Sequence, residues 1–391
     1  MANADPNSNA GPSVPASTQS TRRDFLQGKS AVDAVADIGR MIDERRGGNA
    51  GQARARSSGD PGQEPGSSRT YAVEVSRRAM ACEFSYFLNA GQYEHGTERA
   101  LEALDRIEEL EDQMSVYRHR SEVSLLNATA DKRAVRVEHR LFGLLTESVQ
   151  LFRDTRGAFD VTAGPLIKIW NRLRREGVMP SPAELTALRE NVGSDKLELD
   201  ETHCTVRYLR PGVTIDLGGI GKGYALDRAA DLLAEHEIHD YLVHGGTSSL
   251  LARGSRKSGT ELPGWMVGVQ HPLRADRRLA EFQLCDRAVG TSGAGTQQFY
   301  YQGKRYGHII DPRTGYPADG ILSTTVIAPS SAVADALSTA FYVLGLVGAT
   351  EYCQRHPEVS ALITTPSRRG GAVELHAINC DNLIWRRCDE N

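Results

Sequence analysis

The chain has 391 residues, 25% of them charged, and a formal net charge of -4, with a sequence pI near 6.3. That balance excludes a protein built mainly to hold nucleic acid or an anionic membrane surface, and no run approaches the roughly 18 uninterrupted apolar residues of a membrane-spanning helix. The cysteines, at 82, 204, 285, 353, 380 and 388, form no CxxC pair, which fits free thiols rather than a zinc framework or a disulfide scaffold.

Residues 1–68 are rich in Ser, Gly, Pro, Ala, Asp and Arg, poor in aromatics, and close with the linker GGNAGQARARSSGDPGQEPGSS. Such a composition predicts a disordered tail ahead of one folded domain over residues 69–391. Within the tail, TRRDFLQGKS (residues 21–30) resembles the start of a twin-arginine export signal, but Lys29, Asp33, Asp37 and Arg40 interrupt the apolar stretch of roughly 7 to 15 residues that must follow. The expectation is a cytoplasmic protein, with this degenerate signal leaving export open. No cysteine precedes Cys82, so no lipid attachment point is expected.

From Thr70 onward, strands and helices alternate irregularly. YAVEVS and CEFSYFL read as strands, and TERALEALDRIEELEDQMSVY as a helix with Leu101, Leu104, Ile107, Leu110 and Met114 on one stripe. EDQMSVYRHRSEVSLLN (111–127) passes from that helix into a polar loop in which Tyr117 either stacks on an aromatic ring or covers the helix end. HRLFGLLTESVQLFRDT is helical, with Leu141, Leu144, Leu145, Val149 and Phe152 on its apolar face. In GAFDVTAGPLIKIW (157–170), Asp160 either accepts hydrogen bonds from a ligand or caps the following segment. Ser181-Pro182-Ala183-Glu184 is a capping box with Pro at the first helical position, opening SPAELTALREN, which stops at Gly193. KLELD and CTVRYL read as strands.

TIDLGGIGKGYALD (214–227) reads as a strand ending at Asp216, four glycines within six residues, and a helix beginning near Lys222. Glycines let backbone N–H groups approach a phosphate and the helix N-terminus adds a favourable dipole. A strand-to-helix turn with no ligand explains the glycines equally well, since the stretch is neither a GxxxxGK[ST] loop nor a GxGxxG fingerprint. WMVGVQ, STTVIA and ALITT are further strands. In GHIIDPRTGYP (307–317), His308 stands at a strand end before a tight Asp-Pro-Arg-Thr-Gly turn, a rigid mount suited to an imidazole that moves a proton. The helix VADALSTAFYVLG places Asp335, Ser338 and Thr339 at i, i+3 and i+4, one face offering hard oxygens suited to Mg²⁺ or simply a polar surface. Together these elements predict a mixed α/β (α+β) domain rather than a regular doubly wound one.

The order of the motifs is more specific than any one of them. Met80-Ala81-Cys82, MSVYRHRSEVSLLN, GAFDVTAGPL, IDLGGIGKGYALD, TSGAGTQQFYYQGKRYGHIIDPRTGYPADG and TVIAPSSAVADALSTAFYVLG follow one another as in the ApbE family of FAD:protein FMN transferases, and the chain resembles that family over about residues 70–370. The resemblance implies a fold like paired T-fold units and an Mg²⁺-dependent reaction in which the FMN half of FAD passes to a Thr or Ser hydroxyl of an acceptor protein and AMP leaves. It makes His308 the general base. It gives Asp335, Thr339 and the Gly219 carbonyl to the metal, with Ser338 as a neighbour at a position that varies. Met80, Tyr117, Ala158, Phe159, Asp160, Asp216, Lys222 and Ile309 fall where the family contacts FAD. The implied partners are FAD and an acceptor carrying a Ser/Thr-Gly-Ala-Thr-like site, such as a redox or electron-transfer subunit; neither nucleic acid nor a transmembrane segment is implied.

Some positions depart from the family pattern: Met80-Ala81-Cys82 for Met-Gly-Thr, His244 and Thr247 around the Gly245-Gly246 pair, and TSGAGTQQF for TSGDY. Rival readings are an FAD pyrophosphatase that yields free FMN and AMP, and a flavin carrier without turnover. Thr296, in a faint echo of the acceptor core, is a possible site of self-modification.

Overall fold

Alternation in CEFSYFLN sends Phe84, Tyr86 and Leu88 to the same side of a strand, and all three are buried. The same period-2 logic organises the computed structural model, which describes residues 71–257, 262–293, 299–367 and 373–388. The 1–68 tail with its twin-arginine-like stretch, and Thr296, lie outside the described residues.

The described strands are β1 (Ala72–Ala79), β2 (Cys82–Asn89), β3 (Val135–Arg136), β4 (Leu197–Asp200), β5 (Thr205–Tyr208), β6 (Tyr241–Gly245), β7 (Ser249–Arg253), β8 (Trp265–His271), β9 (Arg274–Leu284), β10 (Arg287–Gly293), β11 (Phe299–Tyr301), β12 (Lys304–Tyr306), β13 (Ser323–Ala328), β14 (Ser360–Pro366), β15 (Val373–Ile378) and β16 (Ile384–Arg387). The described helices are α1 (Gly96–Met114), α2 (Glu122–Thr129), α3 (His139–Asp154), α4 (Gly164–Glu176), α5 (Pro182–Arg189), α6 (Gly221–Glu235) and α7 (Ser331–Arg355).

Eight strands form one sheet in the order β1-β2-β6-β7-β10-β13-β14-β15, with every neighbouring pair antiparallel. Its two faces serve two cores. Ala288, Val326, Ala361 and Ile363 join the core that holds Leu226, Leu337 and Phe341 of α6 and α7. Their neighbours Val289, Ile327 and Leu362 point the other way, against Trp265, Val267 and Phe282 of the small sheet β16-β9-β8. The expected mixed fold is therefore layered: helices, a large antiparallel sheet, and a small sheet.

Two glycines bring α7 against its neighbours. A Cβ at Gly223 of α6 would lie 2.0 Å from the Ser331 carbonyl oxygen, and one at Gly290 of β10 would lie 2.1 Å from that of Ala334. Only a residue without a side chain allows backbone to approach so closely. Asp227 of α6 then caps α7 from outside, accepting from the backbone N–H groups of Ser331 and Ala332 at 2.9 Å each.

Several expectations need correction. Leu101 is exposed; the buried face of α1 runs through Ala100, Ala103, Leu104, Ile107, Leu110 and Met114, so two alanines, not Leu101, continue the helical stripe. The expected strand ending at Asp216 is extended chain outside any ladder, with the Ile215 N–H bound to Asn127 Oδ1 and the Asp216 N–H to the Val161 carbonyl. His308 lies two residues past β12, in a loop closed by a bridge between Ile310 and Pro317. The polar loop after α1 contains the short helix α2, capped by Ser121. α7 continues past Gly345, where φ 71° and ψ -176° kink it. By length and composition α7 could cross a membrane, but Ala334, Leu337, Ala340 and Phe341 bury it in the main core. The capping box at Ser181 and Glu184 is present as expected.

Candidate functional site

The site grows from the close contact of α6, α7 and the sheet. Asp335 is 4% exposed, and a buried carboxylate needs donors and positive charge around it. Its Oδ1 accepts from Ser249 Oγ at 2.9 Å, and its Oδ2 from the Gly223 N–H at 3.1 Å. Lys222 Nζ stands 3.5 Å from Oδ2, a loose ion pair. Gly223 and Lys222 lie in the first turn of α6, so a helix N-terminus faces the same carboxylate.

One helical turn on, Thr339 is half-buried and its Oγ1 lies 3.2 Å from Ser292 Oγ of β10. Ser292 Oγ is also 2.8 Å from Ser338 Oγ. Ser338 donates back to the Asp335 carbonyl at 2.8 Å, which turns its hydroxyl toward the protein interior. On this face Asp335 and Ser338 bond the sheet through Ser249 and Ser292, and Thr339, also against Ser292, borders the glycine loop.

The loop over residues 216–220 is anchored at its start. Asn127 accepts from the Ile215 N–H at 2.7 Å and from Tyr208 OH at 2.7 Å, and donates to the Ile215 carbonyl at 2.8 Å. Asp216 Oδ1 accepts from the Gly218 N–H at 2.9 Å, a local turn bond. At Gly219 a Cβ would sit 3.4 Å from the Phe159 ring and 4.0 Å from Thr339 Oγ1. Gly219, Phe159 and Thr339 are therefore neighbours although they come from three separate motifs.

Ala158, Phe159 and Asp160 are buried. Asp160 Oδ1 accepts from the Thr162 N–H at 2.8 Å, Thr162 Oγ1 at 2.7 Å and Ser194 Oγ at 2.7 Å, so this oxygen fastens its own segment. Burial pushes the Asp160 carboxyl above its ordinary range, against the opposing pull of those hydrogen bonds. Met80 and Ala81 form the two-residue turn between β1 and β2 with φ of 48° and 61°. The Met80 N–H donates to Glu111 Oε2 at 2.8 Å. Cys82 packs beneath Gly246, where a Cβ would lie 3.4 Å from its sulfur. Burial raises the Cys82 thiol pKa, while the nearby Lys222 ammonium lowers it.

The turn after His308 is rigid. The Gly315 N–H donates to the Asp311 carbonyl at 2.8 Å, Gly315 has φ 81°, and Trp170 Nε1 donates to the Gly315 carbonyl at 2.7 Å. Arg313 closes a fork on Asp311 with two bonds of 2.9 Å. Ile309 is buried in the main core with Phe159. Tyr117 is 84% exposed, and its N–H donates to Ser115 Oγ at 3.2 Å.

Sequence reasoning missed Ser249, Ser292, Glu111 and Asn127. Each acts through a bond to a residue distant in sequence, and only Ser249 carries a local signal, as a small polar residue opening an apolar strand. The donor set suits a small hard cation: Asp335, Thr339 and the Gly219 carbonyl are all oxygen donors. Among the described residues no group of three or more His, Cys, Asp or Glu side chains gathers to hold a metal ion, so a cation here would rest on one carboxylate, one hydroxyl and one backbone carbonyl. The Lys222 ammonium near Oδ2 marks the place where positive charge belongs, so the residues fit Mg²⁺.

Residues 76–363 match the ApbE family. The FAD:protein FMN transferase of Haemophilus influenzae is 30% identical over 297 residues, covering 73% of this chain and 85% of that protein. The Vibrio cholerae protein of the same name is 34% identical over 247 residues, covering 62% and 72%. Among solved structures, the flavin transferase ApbE from Vibrio cholerae superposes with a TM-score of 0.69 at 28% identity, covering 79% of this chain and 97% of that one. The ApbE protein of Thermotoga maritima gives 0.67 at 29%, covering 78% and 96%.

Proposed function

The chain belongs to the ApbE family, and from that premise we propose that it is an FAD:protein FMN transferase, moving the FMN half of FAD onto a Thr or Ser hydroxyl of an acceptor protein with release of AMP. The observation that carries this reading is the convergence of Asp335, Lys222 and Gly223 on one side, and of Gly219, Phe159 and Thr339 on the other, from three motifs spread over 181 positions of the chain.

In this reading His308 accepts the proton of the acceptor hydroxyl. The hydroxyl oxygen forms a bond to the FMN phosphorus while the bond from that phosphorus to the bridging oxygen breaks, and AMP departs with the bridging oxygen. The Asp311–Gly315 turn fixes where His308 can reach, which matters as much as its basicity. Asp335, Thr339 and the Gly219 carbonyl would hold Mg²⁺, which supplies charge neutralisation at the pyrophosphate. Lys222 adds a second positive charge, and the first turn of α6 presents N–H groups and a favourable dipole to a phosphate. Met80 and Tyr117 offer apolar and aromatic surface for the flavin, with the buried Phe159 and Ile309 as backing. Acceptors with a Ser/Thr-Gly-Ala-Thr-like site on redox subunits are the proposed partners, and a cytoplasmic location is the proposed one.

The test measures AMP released from FAD in Mg²⁺, with and without a peptide carrying the Ser/Thr-Gly-Ala-Thr core, for wild type, His308→Ala and Asp335→Ala. AMP release that requires the peptide, matches the FMN-labelled peptide and is lost in both variants is expected. Release indifferent to the peptide would instead make the chain a pyrophosphatase, and FAD binding without release would make it a carrier.

A further inference from the structure

A cleft of roughly 450 Å³ borders the segment that leads to Phe159 and the turn after His308. Arg153 and Arg156 at the end of α3, Arg189 at the end of α5, and Arg313 in the turn after His308 line it, against Asp160 and Asp195. Met80, Asp216, Gly219, Lys222, Asp335 and Thr339 take no part in the lining; Asp160, and Pro312 and Arg313 of the turn that mounts His308, belong to both places.

We propose that this cleft is a second binding site, for a small phosphorylated ligand of mononucleotide size. Four guanidiniums seldom gather without anions, since like charges repel unless something compensates them. Arg313 is compensated by Asp311, and Arg156 reaches Glu351 at 3.2 Å in an exposed pair that contributes little. Arg153 and Arg189 have no acidic partner among the described residues. Asp160 offers little attraction, because its Oδ1 is already taken by three donors.

The arms are also placed rather than merely exposed. A Cβ at Gly157 would lie 3.5 Å from Arg313 Cγ, and one at Gly315 would lie 3.0 Å from Arg189 Cδ, so each stem lies across a glycine turn. Both glycines have positive φ, 79° and 81°, which L side chains rarely adopt. Guanidinium forks suit the several oxygens of a phosphate better than a single carboxylate. The volume falls within the roughly 300 to 1,000 Å³ of small-molecule sites. A bare phosphate would leave much of it empty, and Phe152, Val192 and Pro312 supply an apolar wall for an organic part.

Calorimetric titration of the full chain at low salt, saturated with FAD in EDTA so that the proposed active site, which would also take AMP, is already filled, with AMP and inorganic phosphate as separate probes, tests the site on wild type, Arg153→Ala/Arg189→Ala and Arg153→Lys/Arg189→Lys. FAD affinity, measured in parallel, reports on the proposed active site independently. The expected result is AMP binding at least tenfold tighter than phosphate and weakened about tenfold or more in both double variants, with FAD affinity within about twofold of wild type. AMP binding that survives the alanine pair overturns the site, and equal binding by the lysine pair reduces it to a patch of charge. Equal affinity for AMP and phosphate overturns the mononucleotide assignment. Loss of acceptor labelling in the alanine pair with AMP binding unchanged would give the cleft to a macromolecular partner instead. Since every arm but the last reads binding alone, a failure of the transferase reading leaves the outcome interpretable.

Discussion

Ser249 Oγ donates to Asp335 Oδ1 at 2.9 Å, tying the first residue of β7 to the second turn of α7. Ser249 is 2% exposed, so no water replaces its hydroxyl if it is removed. Ser249→Ala is predicted to lower stability by about 1–3 kcal/mol, the cost of a buried acceptor left short of a donor. With Asp335 freer to turn, the Mg²⁺ concentration for half-maximal AMP release should rise several-fold while FAD affinity stays close to wild type. Urea unfolding and a Mg²⁺ titration check the two halves. An unchanged Mg²⁺ requirement would make the serine a packing residue only.

The motifs that were legible in the sequence are those whose chemistry is local. The Ser181 capping box, the helix beginning beside Lys222 and the tight turn at Asp311–Gly315 each follow from residues within a few positions of one another. What was not legible depends on tertiary approach. Nothing in ALDRAADLLAE shows that Asp227 caps α7, and nothing in GPLIKIW shows that Trp170 holds the Gly315 carbonyl. The Asp216 segment reads as a strand because Val213 and Ile215 alternate with polar residues, yet Asn127 takes the backbone groups that a ladder would have used. Its side chain replaces the neighbouring strand, which periodicity cannot reveal.

The Met80-Ala81 turn carries two residues in left-handed conformation, with φ 48° and 61°. A turn of this kind favours Gly, Asn or Asp, and an alanine there is strained by about 1 kcal/mol. Ala81→Gly is therefore predicted to raise stability by up to about 1 kcal/mol, less what glycine loses by freeing the unfolded chain. Thermal or urea unfolding measures it. A loss of stability would show that the Ala81 methyl is packed in a way that offsets its strain.

Gly223 tests how closely α6 must approach α7. A Cβ there would meet the Ser331 carbonyl oxygen at 2.0 Å and the Ala332 nitrogen at 2.8 Å, both backbone atoms that a rotamer change cannot move. Gly223→Ala must push the helices apart, at a cost of about 1–3 kcal/mol or more. It would also draw the Gly223 N–H from Asp335 Oδ2. Gly218→Ala is the control, because that glycine is exposed and a Cβ would meet only Asp216 Oδ1, at 3.1 Å. The prediction is a large fall in melting temperature for Gly223→Ala and a small one for Gly218→Ala. Similar falls for both would mean that α6 can slide.

Asp160 sets a pH dependence whose sign separates burial from hydrogen bonding. Burial lifts its carboxyl above the ordinary 3.8, and the bonds from Ser194 and Thr162 oppose that lift without cancelling it. Between 3.8 and the raised folded value, the folded chain therefore keeps a proton that the unfolded chain has released. Stability falls as pH rises through that window, and the full destabilisation is present above it. Asp160→Asn does not titrate, and its Oδ1 can still accept from Thr162 and Ser194. The stability of wild type relative to Asp160→Asn is accordingly predicted to decline as pH rises from about 4, then level off. Urea unfolding of both proteins from about pH 4 to pH 7 reads that difference directly. A difference that instead grows in favour of wild type with rising pH would mean that the donors around Oδ1 outweigh burial, and that the carboxylate is built to stay ionised beside Phe159.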